Sequence, residues 1–241
     1  MTARIRLHLD QPLAPGQPLT LDRDQANYLF AVMRLAAGDT ILVFNGRDGE
    51  WLARVVQAGR RGGVLEAQAR TRPVRMPPDL WLLFAPIKKA RTDFIVEKAT
   101  ELGAARILPV QTDFTNADRI RQDRLQAHAV EATEQCGGTF VPVVGDLQPL
   151  ARVLADWPTD RRLLWCDEHL AGPAAPLADL PRGPWAVLIG PEGGFSEPEQ
   201  ARLRAQPFVH SISLGPRILR ADTAAVAALT LWQAALGDWV G

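Results

Sequence analysis

Five consecutive apolar residues, Trp185–Ile189 (WAVLI), run directly into the glycine-rich segment Gly190–Ser196 (GPEGGFS). A strand that is apolar at every position has no face to offer water, so it predicts the interior of a parallel sheet covered by helices on both sides. Gly190, Gly193 and Gly194 allow dihedrals and close backbone approach that a Cβ resists. Ser196 and Glu199 have capping-box spacing, and Pro198 is tolerated in a first helical turn, so a helix is expected to start at this point. The loop therefore lies at the carboxyl end of a strand, where open α/β sheets bind ligands.

A second loop of the same kind follows. Ser211–Leu214 reads as a strand, Gly215 and Pro216 break it, and Arg217 and Arg220 alternate with Ile218 and Leu219 before an Ala-rich helix that begins near Asp222 or Thr223. Two guanidiniums beside a helix N-terminus favour an anion, and RNA is the natural negatively charged substrate. Neither loop carries a P-loop or a G-x-G-x-x-G fingerprint. A lone Gly-Pro-Glu-Gly stretch is more often a plain turn, whereas the pair of loops argues for a cofactor pocket made of backbone.

The organisation upstream divides the chain. Residues 1–72 are short interrupted strands with hairpin turns, Thr40–Phe44, Asn45–Gly49, Glu50–Val56 and Val64–Ala69, and are expected to form a small β-barrel. Tyr28, Val32 and Leu35 follow helical spacing and predict a helix over Asp24–Leu35. The Pro-rich stretch within 73–79 reads as a linker, and from Leu80 to residue 241 the pattern changes to alternating strands and helices. That pattern predicts an α/β domain with a largely parallel sheet: strands at Leu80–Ala85, Arg106–Val110, Arg162–Cys166 and Ala186–Ile189, and a helix from Lys89 to Leu102 stopped at Gly103. The small, apolar helix from Thr223 to Ala235 is expected to be buried.

Charge is uneven although the sum is zero. Residues 1–75 hold 11 basic against 7 acidic side chains, net +4, and the remainder holds 16 against 20, net −4. A basic N-terminal part fits sequence-independent, salt-sensitive attraction to RNA phosphate, while any single arginine is more often a solvated charge. Cys136 and Cys166 lack metal-ligand spacing and are expected reduced in a core; His8, His128, His169 and His210 form no recognisable ligand set, so no metal is expected. No apolar run has the length of a membrane span and the N-terminus lacks the apolar segment of a signal peptide, which gives an expected cytoplasmic location and no membrane partner.

Four segments together carry a resemblance: Ile189–Ser196, Leu214–Arg220 with Asp222–Ala224, Glu97–Gly103 (EKATELG) and Glu131–Cys136 (EATEQC). In order and spacing, over nearly the whole chain, they resemble the ribosomal RNA small subunit methyltransferase E family of the SPOUT class. Three positions depart from the family pattern: Gly138 where a basic residue is usual, Asp222 where a glutamate is usual, and no histidine near Asn27 or Tyr28.

The resemblance implies a trefoil-knotted α/β methyltransferase domain behind a PUA-like RNA-binding barrel, a homodimer, S-adenosyl-L-methionine as cofactor, and N3 of a uridine in 16S ribosomal RNA of the small subunit as target. It assigns cofactor contact to Leu188, Gly190, Pro191, Glu192, Gly193, Leu214, Gly215, Ile218, Leu219 and Thr223. The uridine imide attacks poorly until its proton is lost, so Arg217 and Arg220 are the expected catalytic residues, as cations that stabilise the uridine anion. Glu192 is read as a cofactor contact, a charge partner, a proton acceptor or a brace for the turn. Arg4, Arg6, Arg23, Arg34, Lys88 and Arg91 are the candidate RNA contacts, against the alternative of ordinary solvated charges. Two other functions stay open on the sequence: a SPOUT enzyme acting on transfer RNA or a ribose 2′-hydroxyl, and a non-catalytic RNA-binding assembly factor.

Overall fold

The computed structural model describes residues 5–117, 119–170, 172 and 177–239. They fall into two compact units, Met1–Met76 with Thr133–Val141, and Pro77–Ala132 with Pro142–Gly241.

The first unit contains β1 (Arg6–His8), β2 (Pro18–Leu21), α1 (Arg23–Ala26), β3 (Thr40–Phe44), β4 (Glu50–Gly59) and β5 (Gly62–Arg72). The strands form one five-stranded sheet in the order β1-β3-β4-β5-β2, parallel only between β1 and β3. Alternation along the strands places Ile41, Val43, Ala53, Val55, Leu65 and Ala67 on one face, where they bury completely with Leu9, Leu19 and Leu29. Asn45 shapes the β3–β4 turn: its side-chain oxygen accepts the N–H groups of Arg47 and Asp48, and its amide donates to Asp48.

The expected helix over Asp24–Leu35 is a mixed one. After α1 the chain widens into a π-helical turn, Asn27–Val32, in which Met33 donates to the carbonyl of Tyr28, five residues back. The wider turn places Leu29 in the core and leaves Val32 exposed, so of the residues at 3.6-residue spacing Tyr28 and Leu35 pack partly buried against the core and Val32 does not.

The second unit contains β6 (Leu80–Phe84), α2 (Lys89–Glu101), β7 (Arg106–Gln111), α3 (Gln122–Cys136, whose last turn belongs to the first unit), β8 (Val143–Val144), β9 (Gln148–Pro149), α4 (Leu150–Ala155), β10 (Arg162–Cys166), β11 (Trp185–Ile189), α5 (Glu197–Arg204), β12 (Val209–Ile212) and α6 (Ala221–Ala235). Its sheet is parallel throughout, in the order β12-β10-β11-β6-β7-β8, with β9 also paired to β7. Every residue of β11 is buried, as its unbroken apolar run requires. Two boundaries differ from the sequence reading. β12 ends at Ile212 because the Ser213 hydroxyl bonds the N–H of Gly215 and starts the loop early, and α6 begins at Ala221 with Arg220 as its N-cap. Cys136 is exposed at the last residue of α3 rather than buried, while Cys166 is half-buried and its thiol is pushed up to about 12 by burial. Among the described residues no helix is long and apolar enough to cross a membrane.

Candidate active site

β10, β11 and β12 are parallel neighbours, so the loops that follow them leave the same edge of the sheet. These loops enclose a cleft of about 380 Å³ lined by residues 166–170, 189–193 and 214–221 together with Ala224 of α6. A small-molecule site has this size and this position, at the carboxyl ends of parallel strands.

The first loop is held at both ends. Ser196 and Glu199 form the expected capping box on α5, and Glu199 also accepts the N–H of Asp113, whose carboxylate in turn accepts the Ser196 hydroxyl. The glycines are enforced by neighbours. A Cβ on Gly190 would meet the Phe195 ring at 2.7 Å, and one on Gly194, whose φ is +68°, would lie 1.7 Å from Glu168 Oε1. The carboxylate of Glu168 thus fills the space that a side chain at 194 would need. Gly215 has φ +119° with nothing near its missing Cβ, so its backbone faces open space.

Most of the expected contacts converge. Gly190, Pro191, Glu192, Gly193, Leu214, Gly215, Ile218 and Leu219 line the cleft, and so do Arg217 and Arg220. Two do not. Leu188 precedes Ile189 on β11 and alternation turns its side chain into the opposite face, where it packs fully buried in the cluster with Trp165 and Phe195. Thr223 is exposed outside the lining residues, its N–H bonded to the Asp222 carboxylate.

The segment Cys166–Leu170 is the part that sequence reasoning missed. It carries no glycine signal; what could have revealed it is that Arg162–Cys166 is a third buried strand, whose loop must open at the same edge. Burial holds the Glu168 carboxyl above the usual carboxylate range, with Asp167 adding to the shift and His169 opposing it. Asp167 is fixed beneath, accepting the His169 N–H and lying 3.4 Å from Arg204. Glu168 and Glu192 set carboxylates in a cleft that also holds two guanidiniums, so one cavity offers partners for both a cation and an anion.

The candidate RNA contacts separate. Arg4 lies outside the described residues. Arg6 is corrected: its side chain is only 10% exposed, Nε donates to the buried Glu50 carboxylate at 2.9 Å, and the other nitrogens donate to the carbonyls of Thr133, Glu134 and Gly138. It caps the C-terminal turn of α3 and lies over the Phe44 ring, so four of its five N–H donors are held within this unit. Arg23 and Arg34 are exposed on the first unit, and Lys88 is exposed at the N-cap of α2. Arg91 lies in the first turn of α2, 3.4 Å from Asp222 in the first turn of α6.

The fold and the cleft define an α/β RNA methyltransferase with an appended PUA unit. A family model described as the RNA methyltransferase domain matches residues 75–233, and one described as the RNA methyltransferase PUA domain matches residues 21–67. The chain is 30% identical to the ribosomal RNA small subunit methyltransferase E of Synechocystis over 90% of this chain and 73% of that protein. It is 29% identical to the protein of the same name from Rickettsia conorii over 93% of each. The crystal structure of a ribosomal RNA small subunit methyltransferase E from Neisseria gonorrhoeae bound to S-adenosyl methionine is similar at a TM-score of 0.87 and 28% identity, covering 98% of this chain and 99% of that one. The chain belongs to the ribosomal RNA small subunit methyltransferase E family.

Proposed function

We propose that this protein transfers a methyl group from S-adenosylmethionine to N3 of a uridine in the 16S ribosomal RNA of the small subunit. The observation that carries the reading is the cleft at the ends of β10, β11 and β12, where the glycine loops, the carboxylates of Glu168 and Glu192 and the guanidiniums of Arg217 and Arg220 meet. The residues fit the cofactor. Gly190, Gly193 and Gly215 bring main chain without a side chain of their own to the cleft wall, with open space at the missing Cβ of Gly215, and Glu168 and Glu192 supply acceptors for a molecule that carries positive charge and hydroxyl groups. S-adenosylmethionine supplies an electrophilic methyl on a sulfonium when bound, so no nucleophilic side chain or metal is needed.

The chain's own part is placement and charge. Arg220 at the N-cap of α6 and Arg217 in the same loop put positive charge where the helix dipole already favours an anion. That field lowers the cost of ionising the uridine imide, which is the form that attacks. Holding two reactants in line in a confined cleft supplies the rest by removing orientational freedom.

The knot and the homodimer implied by the resemblance belong to the same reading, as does a cytoplasmic location beside the ribosome. Ile218 supports a second copy at this edge: an apolar side chain on the wall of the cleft, it is 83% exposed. The test is transfer of labelled methyl from S-adenosylmethionine to unmodified small subunits, free 16S RNA and transfer RNA in parallel. Label in 16S RNA alone is expected. Label in transfer RNA alone would assign the cleft to another substrate, and cofactor binding without transfer to any of them would make the protein a binding factor.

A further inference from the structure

A second cavity, of about 310 Å³, lies beside the first in the same unit. It opens between the start of α2 and the segment that leads into α3, and among the described residues its charged lining is Lys89, Arg119, Arg121 and Arg124 with the carboxylate of Asp93. The acidic neighbours among the described residues are paired. Asp93 pairs with Arg124, and Asp123, next to the cavity, holds Arg121 at 2.7 Å. Among the described residues Lys89 and Arg119 have no acidic partner within 4 Å. Lys88, the N-cap of α2, makes no side-chain capping bond, so the first N–H groups of this 13-residue helix add to the positive field.

Topology ties this cavity to the cofactor cleft. β6 and β11 are parallel neighbours, and Ala85, just past β6, donates to the Ile189 carbonyl at 3.0 Å. Pro86 and Ile87 begin one cavity where Ile189 and Gly190 begin the other. Arg91 and Asp222 join the first turn of α2 to that of α6, whose N-cap Arg220 lines the cofactor cleft.

We propose that this cationic cavity is a phosphate-binding subsite for the RNA strand, engaging a backbone phosphodiester near the target nucleotide through Lys89 and Arg119. The proposal rests on the methyltransferase reading above for the identity of the nucleic acid. A phosphate there would carry no sequence information; it would fix the register of the strand so that the base enters the cofactor cleft.

The experiment compares wild type, Lys89→Ala/Arg119→Ala, the charge-keeping Lys89→Arg/Arg119→Lys, and the control Arg202→Ala, an exposed cation on α5 outside both cavities. Binding of a 16S RNA fragment is followed over a salt series by fluorescence anisotropy, cofactor affinity by calorimetry, and folding by circular dichroism. In the double alanine variant RNA affinity is expected to fall about tenfold and the slope of log K against log salt to decrease by roughly 1–2, with cofactor affinity unchanged. The charge-keeping variant is expected to recover the wild-type slope, and the control not to depart from it. An unchanged slope and affinity in the alanine variant would overturn the proposal, and so would an equal loss of cofactor affinity. A reduced slope together with wild-type protein that methylates no RNA would support the phosphate subsite while removing the methyltransferase reading.

Discussion

Arg220 sits at the N-cap of α6 and on the wall of the cleft, so its charge acts on whatever anion develops there. Arg220→Ala is expected to slow methyl transfer at least tenfold while changing cofactor affinity about twofold or less, as measured by single-turnover transfer and calorimetry. Equal losses would make it a cofactor contact instead. Gly194→Ala should act oppositely: its Cβ collides with Glu168, and an alanine is strained at φ +68°, so cofactor affinity is expected to fall first. Arginines show why residue roles are hard to read from a sequence. Arg6 and Arg23 look alike in a basic segment, yet four of the five donors of Arg6 are bound to Glu50 and three carbonyls while Arg23 is exposed. Glu50 gives the matching stability prediction. Burial pushes its carboxyl up, but hydrogen bonds from Arg72, Thr71 and Arg6 outweigh burial and hold it below its ordinary value. A carboxylate depressed in the folded state contributes stability above its unfolded pKa and loses it as pH falls through the folded one. Glu50→Gln should therefore cost about 3 kcal/mol at pH 7 in urea unfolding, with the deficit shrinking once the pH drops below the ordinary carboxylate range.

The loop-and-helix units were the most legible elements because their signals are local. Gly-rich turns, the Ser196–Glu199 box and a buried apolar strand need no tertiary information, and each occurs where the pattern places it. Ser196→Ala removes one half of that box and its bond to Asp113, and is expected to cost about 1 kcal/mol, measured by thermal denaturation with and without cofactor. Elements governed by contacts distant in sequence were not legible in the same way. The π-helical turn of Asn27–Val32 shifts the buried face from Val32 to Leu29, and no periodic template at 3.6 residues contains it. The segment Cys166–Leu170 enters the cleft only because β10 is laid between β11 and β12, an order that chain position conceals.

At the scale of the molecule, a basic N-terminal part and an α/β part are both visible in composition and period; the PUA model matches residues 21–67 and the RNA methyltransferase model residues 75–233. A linear reading does not assign Thr133–Val141 to the first unit, because the bonds that do so, from Arg6 to the end of α3 and from Arg75 to Thr139, span more than sixty residues of sequence. One unit matches the PUA model and the other carries the cleft at the ends of β10, β11 and β12. The most direct test is nucleoside mass spectrometry of 16S RNA after reaction of unmodified small subunits with the protein and S-adenosylmethionine. N3-methyluridine, dependent on Arg220, is the expected product; a ribose-methylated nucleoside, or a methyl group on any other base, would overturn the assignment of uridine N3 as the target.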